Sequence, residues 1–84
     1  MYFIIKLFPE ITIKSAPVRK RFIKQLRENL RGLIKPIDER IVVTREWDKI
    51  EVGADISLEE AQPLIPQVSV VLANTPGIAN FALV

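Results

Sequence analysis

With 84 residues, 49% of them apolar and 26% charged, the chain has room for one globular domain with a modest core. It holds no cysteine and no histidine, which excludes a disulfide framework, a thiol nucleophile, thiolate metal sites and the commonest general base near neutral pH. The net charge of +2 is unevenly spread: Lys14 to Lys35 contains eight basic residues and one acid, Glu28, so this segment carries +7 and the remainder −5.

Tyr2 to Phe8 alternates, with Phe3, Ile5 and Leu7 on one face and Tyr2, Ile4, Lys6 and Phe8 on the other. Both faces are largely apolar, which predicts a central strand, and Pro9-Glu10 is expected to break it. Ser15 is the expected N-cap of a long helix reaching about Ile34, with Ala16 and Pro17 in its first turn. Its apolar residues Val18, Phe22, Ile23, Leu26, Leu30, Leu33 and Ile34 fall on one arc, and Lys20, Lys24, Arg27, Arg31 and Lys35 on the opposite one. Gly32 and Pro36 mark the stop.

Arg40 to Arg45 reads as a second strand, Glu46-Trp47-Asp48 as a tight reversal, and Lys49 to Ala54 as a third strand with Ile50, Val52 and Ala54 inward. Ser57-Leu58-Glu59-Glu60 has the form of a capping box. Pro63 and Pro66 forbid one uninterrupted helix, so a short turn before Pro63 and a helix from about Pro66 to Asn74 are expected. The β-branched Val68, Val70 and Val71 keep a strand open as the alternative. Thr75-Pro76-Gly77 is a turn, and Ile78 to Val84 a last strand. The order β-α-β-β-α-β predicts an α+β, ferredoxin-like fold in which two helices cover one face of a four-stranded antiparallel sheet.

The three scattered glycines form no phosphate loop, and no carboxylate pair has a spacing that argues for acid–base chemistry. Glu59-Glu60 and Glu46-x-Asp48 read as a helix start and a turn, and Ser15 and Thr44 lack a histidine to activate them. These residues are expected to catalyse nothing and to bind no metal or cofactor. No stretch is apolar enough to span a bilayer, and the start has no signal-peptide pattern, so a cytoplasmic location without membrane contact is expected.

A row of cations on one helix face suits a phosphate backbone, against the alternative of an ordinary solvated face. Arg19 lies near the apolar arc, and a pair of Glu10 with Arg19 or Lys14 would organise the loop before the helix, against the alternative of a weak surface ion pair. Trp47 suits either base stacking or the capping of a small core. Tyr2, Ile4 and Phe8 line a sheet face that the helices leave open, which points to a neighbouring domain or a second copy.

The run Phe3-Ile4-Ile5-Lys6-Leu7-Phe8-Pro9-Glu10-Ile11-Thr12-Ile13-Lys14-Ser15, followed by Val18-Arg19-x-Arg21-Phe22, resembles the opening of the 4-thiouridine tRNA sulfurtransferases, the ThiI family. Asp38-Glu39 to Val43, Arg45-x-Trp47-Asp48-x-Ile50-Glu51-Val52 and Pro76-Gly77-Ile78 match in order and spacing. Many relatives read Gly-Glu-Ile-x-x-Lys-Gly and then Asn-Arg-x-x-Phe; Glu10, Ile11, Lys14, Arg19 and Phe22 match, while Pro9 and Ser15 replace the glycines and the spacing to Arg19 is one residue longer.

The resemblance implies the N-terminal domain of a longer enzyme. There it would be followed by a THUMP domain, with which it grips the acceptor end of tRNA, and by an ATP-pyrophosphatase domain that uses ATP and magnesium to adenylate a uridine. Sulfur would arrive from a cysteine desulfurase; some members add a rhodanese domain and serve thiamin thiazole synthesis. The residues expected to meet RNA are Lys14, Arg19, Lys20, Arg21, Lys24, Arg27, Arg31 and Lys35, with Glu10 organising the loop. The competing expectation is a structural or regulatory domain that forms a homodimer or packs on a partner through its open sheet face.

Overall fold

The computed structural model describes residues 1–46 and 48–84, Thr12 through its backbone alone. Trp47, and with it the choice between base stacking and core capping, lies outside the described residues. The elements are β1 (Tyr2–Leu7), α1 (Pro9–Thr12), α2 (Ala16–Ile34), β2 (Val42–Arg45), β3 (Lys49–Gly53), α3 (Leu58–Ala61), α4 (Leu64–Ala73) and β4 (Ile78–Leu83). The strands form one antiparallel sheet in the order β2-β3-β1-β4. This is the expected ferredoxin-like plan, with β1 central as its two apolar faces require.

The core lies between this sheet and α2 and α4. Phe3, Ile5 and Leu7 of β1, Val43 of β2, and Ile50 and Val52 of β3 meet Ile23, Leu26, Leu30 and Ile34 of α2 and Leu64, Val68 and Leu72 of α4. No polar or charged residue is buried among the described residues, so hydrophobic burial, not a polar network, holds the layers together.

Three local expectations need correction. Pro9 does end β1, but it also opens a four-residue helical turn, α1, which seats Ile11 in the core. A proline fits a first helical turn because the amide it lacks would have no intrahelical acceptor. The same reasoning applies to Pro66: α4 starts two residues earlier than expected, at Leu64, with Pro66 as its third residue. β2 starts at Val42, because Asp38 and Arg40 are tied into a turn by the bond from the Arg40 amide to Asp38 Oδ1 at 2.9 Å.

Elsewhere the chemistry of the elements is as expected. Ser15 occupies the N-cap of α2, although its side chain makes no capping bond. Ser57 Oγ accepts the Glu60 amide at 3.2 Å. The Glu46 amide bonds the Lys49 carbonyl at 2.8 Å and closes the hairpin. At the α4–β4 turn Gly77 has φ +95°, and a Cβ there would lie 2.9 Å from Phe22 Cζ. The loop therefore needs glycine twice, for its left-handed backbone and for the close approach of the Phe22 ring.

Candidate nucleic-acid interface

α2 buries the arc of Ile23, Leu26, Leu30 and Ile34. At about 100° per residue, Arg27, Lys20, Arg31, Lys24 and Lys35 follow one another across roughly 80° that begins beside this arc. The cations thus form a ridge on one flank of the helix and do not stand diametrically opposite the core. The flank is the one over β2. Lys20 shares a surface groove with Ile23, Arg45 and Glu46, and Arg27, Arg31 and Lys35 share another with Ile34, Glu39 and Ile41 to Val43.

Arg27 shows the lean most clearly. Its side chain is 29% exposed, and Nε donates to the Val43 carbonyl at 3.1 Å. Lys20, Lys24, Arg31 and Lys35 are exposed along the same flank, with roughly 6 Å of axial rise between residues four apart. Glu28 is the acid within the ridge; its Oε1 lies 3.5 Å from Arg27 and 3.6 Å from Arg31. Solvated pairs at such distances are weak, and even with Glu39 and Glu46 on the groove walls the cations outnumber the acids.

The remaining expected residues are spread around this ridge. Arg21 is exposed further round the helix. Lys14 is exposed in the loop before α2, and Arg19, half-buried, donates from Nη1 to the Lys14 carbonyl at 3.4 Å. The loop is thereby tied to the first turn of the helix through its backbone. Glu10 is exposed in α1, and its ion pair with Lys14 is not formed among the described residues.

Arg45 is a ridge residue absent from the cations expected to meet RNA. It pairs with Ile50 across the hairpin, and directly paired residues share a face, so Arg45 belongs to the helix-covered side and lines the same groove as Lys20. The signal lies in the hairpin register, since Ile50 reads as inward.

A second charged cluster braces this region. Asp38 Oδ1 and Oδ2 accept from Arg40 Nε at 3.1 Å and Nη2 at 2.8 Å, and Arg40 Nη1 reaches Glu60 Oε2 at 3.2 Å. The guanidinium holds the Asp38 carboxyl at about 2, well below its ordinary value. The cluster pins the α2–β2 loop to α3. On the open face, the Tyr2 ring covers Gly53, where a Cβ would lie 2.9 Å from Tyr2 Cδ2. A hydrogen bond with Glu51 raises the phenol above its usual pKa.

Among the described residues no cluster of acidic side chains could hold a metal ion, and no helix is long and apolar enough to cross a membrane.

Fold and ridge together define a ferredoxin-like α+β domain with a cationic flank. Residues 2–82 match the family described as the ThiI ferredoxin-like domain, and the chain belongs to that family. It is 51% identical over 83 residues to a tRNA sulfurtransferase of Saccharophagus degradans, covering 98% of this chain and 16% of that protein. It is 47% identical over 81 residues to one of Azotobacter vinelandii, covering 96% and 16%. A third, from Sodalis glossinidius, is 50% identical over 84 residues, covering 100% and 16%. The chain therefore spans about a sixth of the length of the curated relatives it matches. No solved structure is significantly similar to it.

Proposed function

We propose that this chain is an RNA-docking domain of a tRNA sulfurtransferase, positioning tRNA for chemistry carried out by other parts of a longer protein. The observation that carries the reading is the ridge of Lys20, Lys24, Arg27, Arg31 and Lys35, joined by Arg45, whose cations outnumber the acids beside them, Glu28 on the helix and Glu39 and Glu46 on the groove walls. Cations in file at roughly 6 Å intervals match a polyanion whose charges are regularly spaced, and such contacts release counterions as they form. The bound polymer is tRNA in this reading because the matched relatives are named tRNA sulfurtransferases.

The chain's own part is electrostatic: it fixes register and orientation and reads no base. Lys14, in the loop before α2, extends the cationic surface past the N-terminal end of the helix, and Arg19 and Arg21 add to it within the first two turns. ATP, magnesium, a THUMP domain, a cysteine desulfurase and 4-thiouridine formation belong to the longer protein in this proposal, and a link to thiamin synthesis is a further extension of it.

The test replaces Lys20, Lys24, Arg31 and Lys35 with alanine in the full-length enzyme and measures tRNA affinity across a salt series. Arg27 is spared because it also bonds Val43. The log–log salt slope should shrink by about 0.7–0.9 for each phosphate that is no longer neutralised. An unchanged affinity and slope would remove the ridge from RNA binding.

A further inference from the structure

α2 and β2 run antiparallel along one seam. Near the start of the helix, Lys20 and Ile23 share a groove with Arg45 and Glu46. Toward its end, Arg31 and Lys35 share a second groove with Glu39 and Ile41. Between Lys20 and Arg31 comes Arg27, whose Nε donates to the Val43 carbonyl at 3.1 Å. From Lys20 to Lys35 the seam is about 22 Å long at the helical rise per residue.

The wall facing the helix is the outer edge of β2. The Glu46 amide bonds the Lys49 carbonyl, and Thr44 and Val42 pair with Glu51 and Gly53 in the same phase. Alternate residues of an antiparallel ladder bond the neighbouring strand, so Val43 and Arg45 turn their amides and carbonyls outward. The Arg27 bond to the Val43 carbonyl agrees with this phase. Among the described residues no further strand pairs with β2 on that side. The outward Val43 carbonyl is thus met by a guanidinium, while the Val43 and Arg45 amides point out as donors. Backbone donors at a sheet edge are common anion contacts.

Resting on the RNA-docking reading, we propose that one RNA strand lies lengthwise in this seam, its phosphates held between the cations of α2 and the edge of β2. Arg45 and the amides of Val43 and Arg45 form the second wall and position the strand. Lys20 and Arg45 are exposed, come from two elements, and among the described residues are taken up by no hydrogen bond or ion pair. They can close on one phosphate from both sides, one as a point charge and the other as a planar fork. The acids on the seam walls, Glu46 and Glu39, stand at its two ends, and the cations lie between them. A helix ridge alone meets a backbone from one side. Two walls of donors hold it from both and fix the direction in which it runs.

The test uses the full-length enzyme and tRNA. Lys20→Gln and Arg45→Gln should each weaken binding about threefold to tenfold and lower the log–log salt slope by about 0.7–0.9. Arg45→Lys, which keeps the charge, should restore the slope. Lys6→Gln, an exposed cation on the open sheet face, should change neither. Hydrogen exchange should show the Val43 and Arg45 amides slowing when tRNA binds. Wild-type binding by Arg45→Gln, or no slowing at those two amides, overturns the seam. If replacing Lys20, Lys24, Arg31 and Lys35 together abolishes binding while Arg45→Gln does not, the docking reading stands and the strand lies on the crest of α2. If neither variant binds more weakly, both readings fall.

Discussion

β2 and β4 are both edge strands of one small sheet, and their surroundings differ in almost every respect. β2 is four residues long, ends in Arg45 and lies under the cationic flank of α2. Its outward Val43 carbonyl is already taken by Arg27. β4 is six residues long and uncharged, and among the described residues no further strand pairs with Phe81 and Leu83 on its outer side. A guanidinium on the open carbonyl, a short strand and a charged end are common ways of blocking strand addition. One edge is therefore closed to other strands and dressed for a polyanion, while the other keeps its backbone available.

The largest effect should come from stripping the β2 side of its cations. Loss of Lys20, Lys24, Arg31 and Lys35 should weaken tRNA binding by about a hundredfold or more near 0.1 M salt, with the difference vanishing as salt rises. Next in size is Gly77→Ala at the entrance to β4. The left-handed φ of +95° and the 2.9 Å approach to Phe22 should together cost about 1–3 kcal/mol of stability, read by urea unfolding. Adding Phe22→Leu should recover the steric part and leave the backbone part. Full recovery would show that crowding by the ring is the whole constraint.

How far this contrast is legible in the sequence depends on the range of the interactions behind it. The ends of α2, the 46–49 reversal and the central place of β1 follow from local chemistry: Ser15, the arc of leucines and isoleucines, Pro36, and the two apolar faces of residues 2–8. Pro9 and Pro66 mislead because each reads as a breaker, whereas a proline in the first turn removes no hydrogen bond. The lean of the ridge toward β2, the role of Arg27 and the inclusion of Arg45 depend on which strand α2 covers and on hairpin parity. The openness of β4 depends on strand order, which no single segment encodes. The family resemblance, carried by residues as far apart as Phe22 and Gly77, joins positions that the fold brings together.

Arg27 itself supplies a smaller and sharper test. Arg27→Met keeps the aliphatic stem and removes the donor, leaving the Val43 carbonyl to water or to another strand. Loss of one hydrogen bond of this kind should cost about 0.5–1.5 kcal/mol. If the guanidinium is what closes β2, the variant should also self-associate more strongly, and its new pairing should protect the Val43 and Arg45 amides. A variant that is less stable but no more associative would assign the closure to the shortness of β2 and its cover by α2.

The smallest effect concerns the Asp38–Arg40–Glu60 cluster at the approach to β2. The Asp38 carboxyl lies at about 2 in the folded chain against an ordinary 3.8. A depressed folded value means that the unfolded chain binds the proton more readily. Asp38 therefore contributes its full stabilisation above about pH 4 and loses it as pH falls toward 2. The group is solvated, so the contribution is modest. Thermal melts of the wild type and of Asp38→Asn should differ at pH 5 and converge as the pH is lowered through this window. β4 carries no ionisable side chain, so amide exchange should show the Arg40–Val43 segment loosening first, with the β4 ladder protected until global unfolding. A pH-independent gap between the two melting curves would mean that Asp38 holds the loop by hydrogen bonds that its neutral form makes equally well.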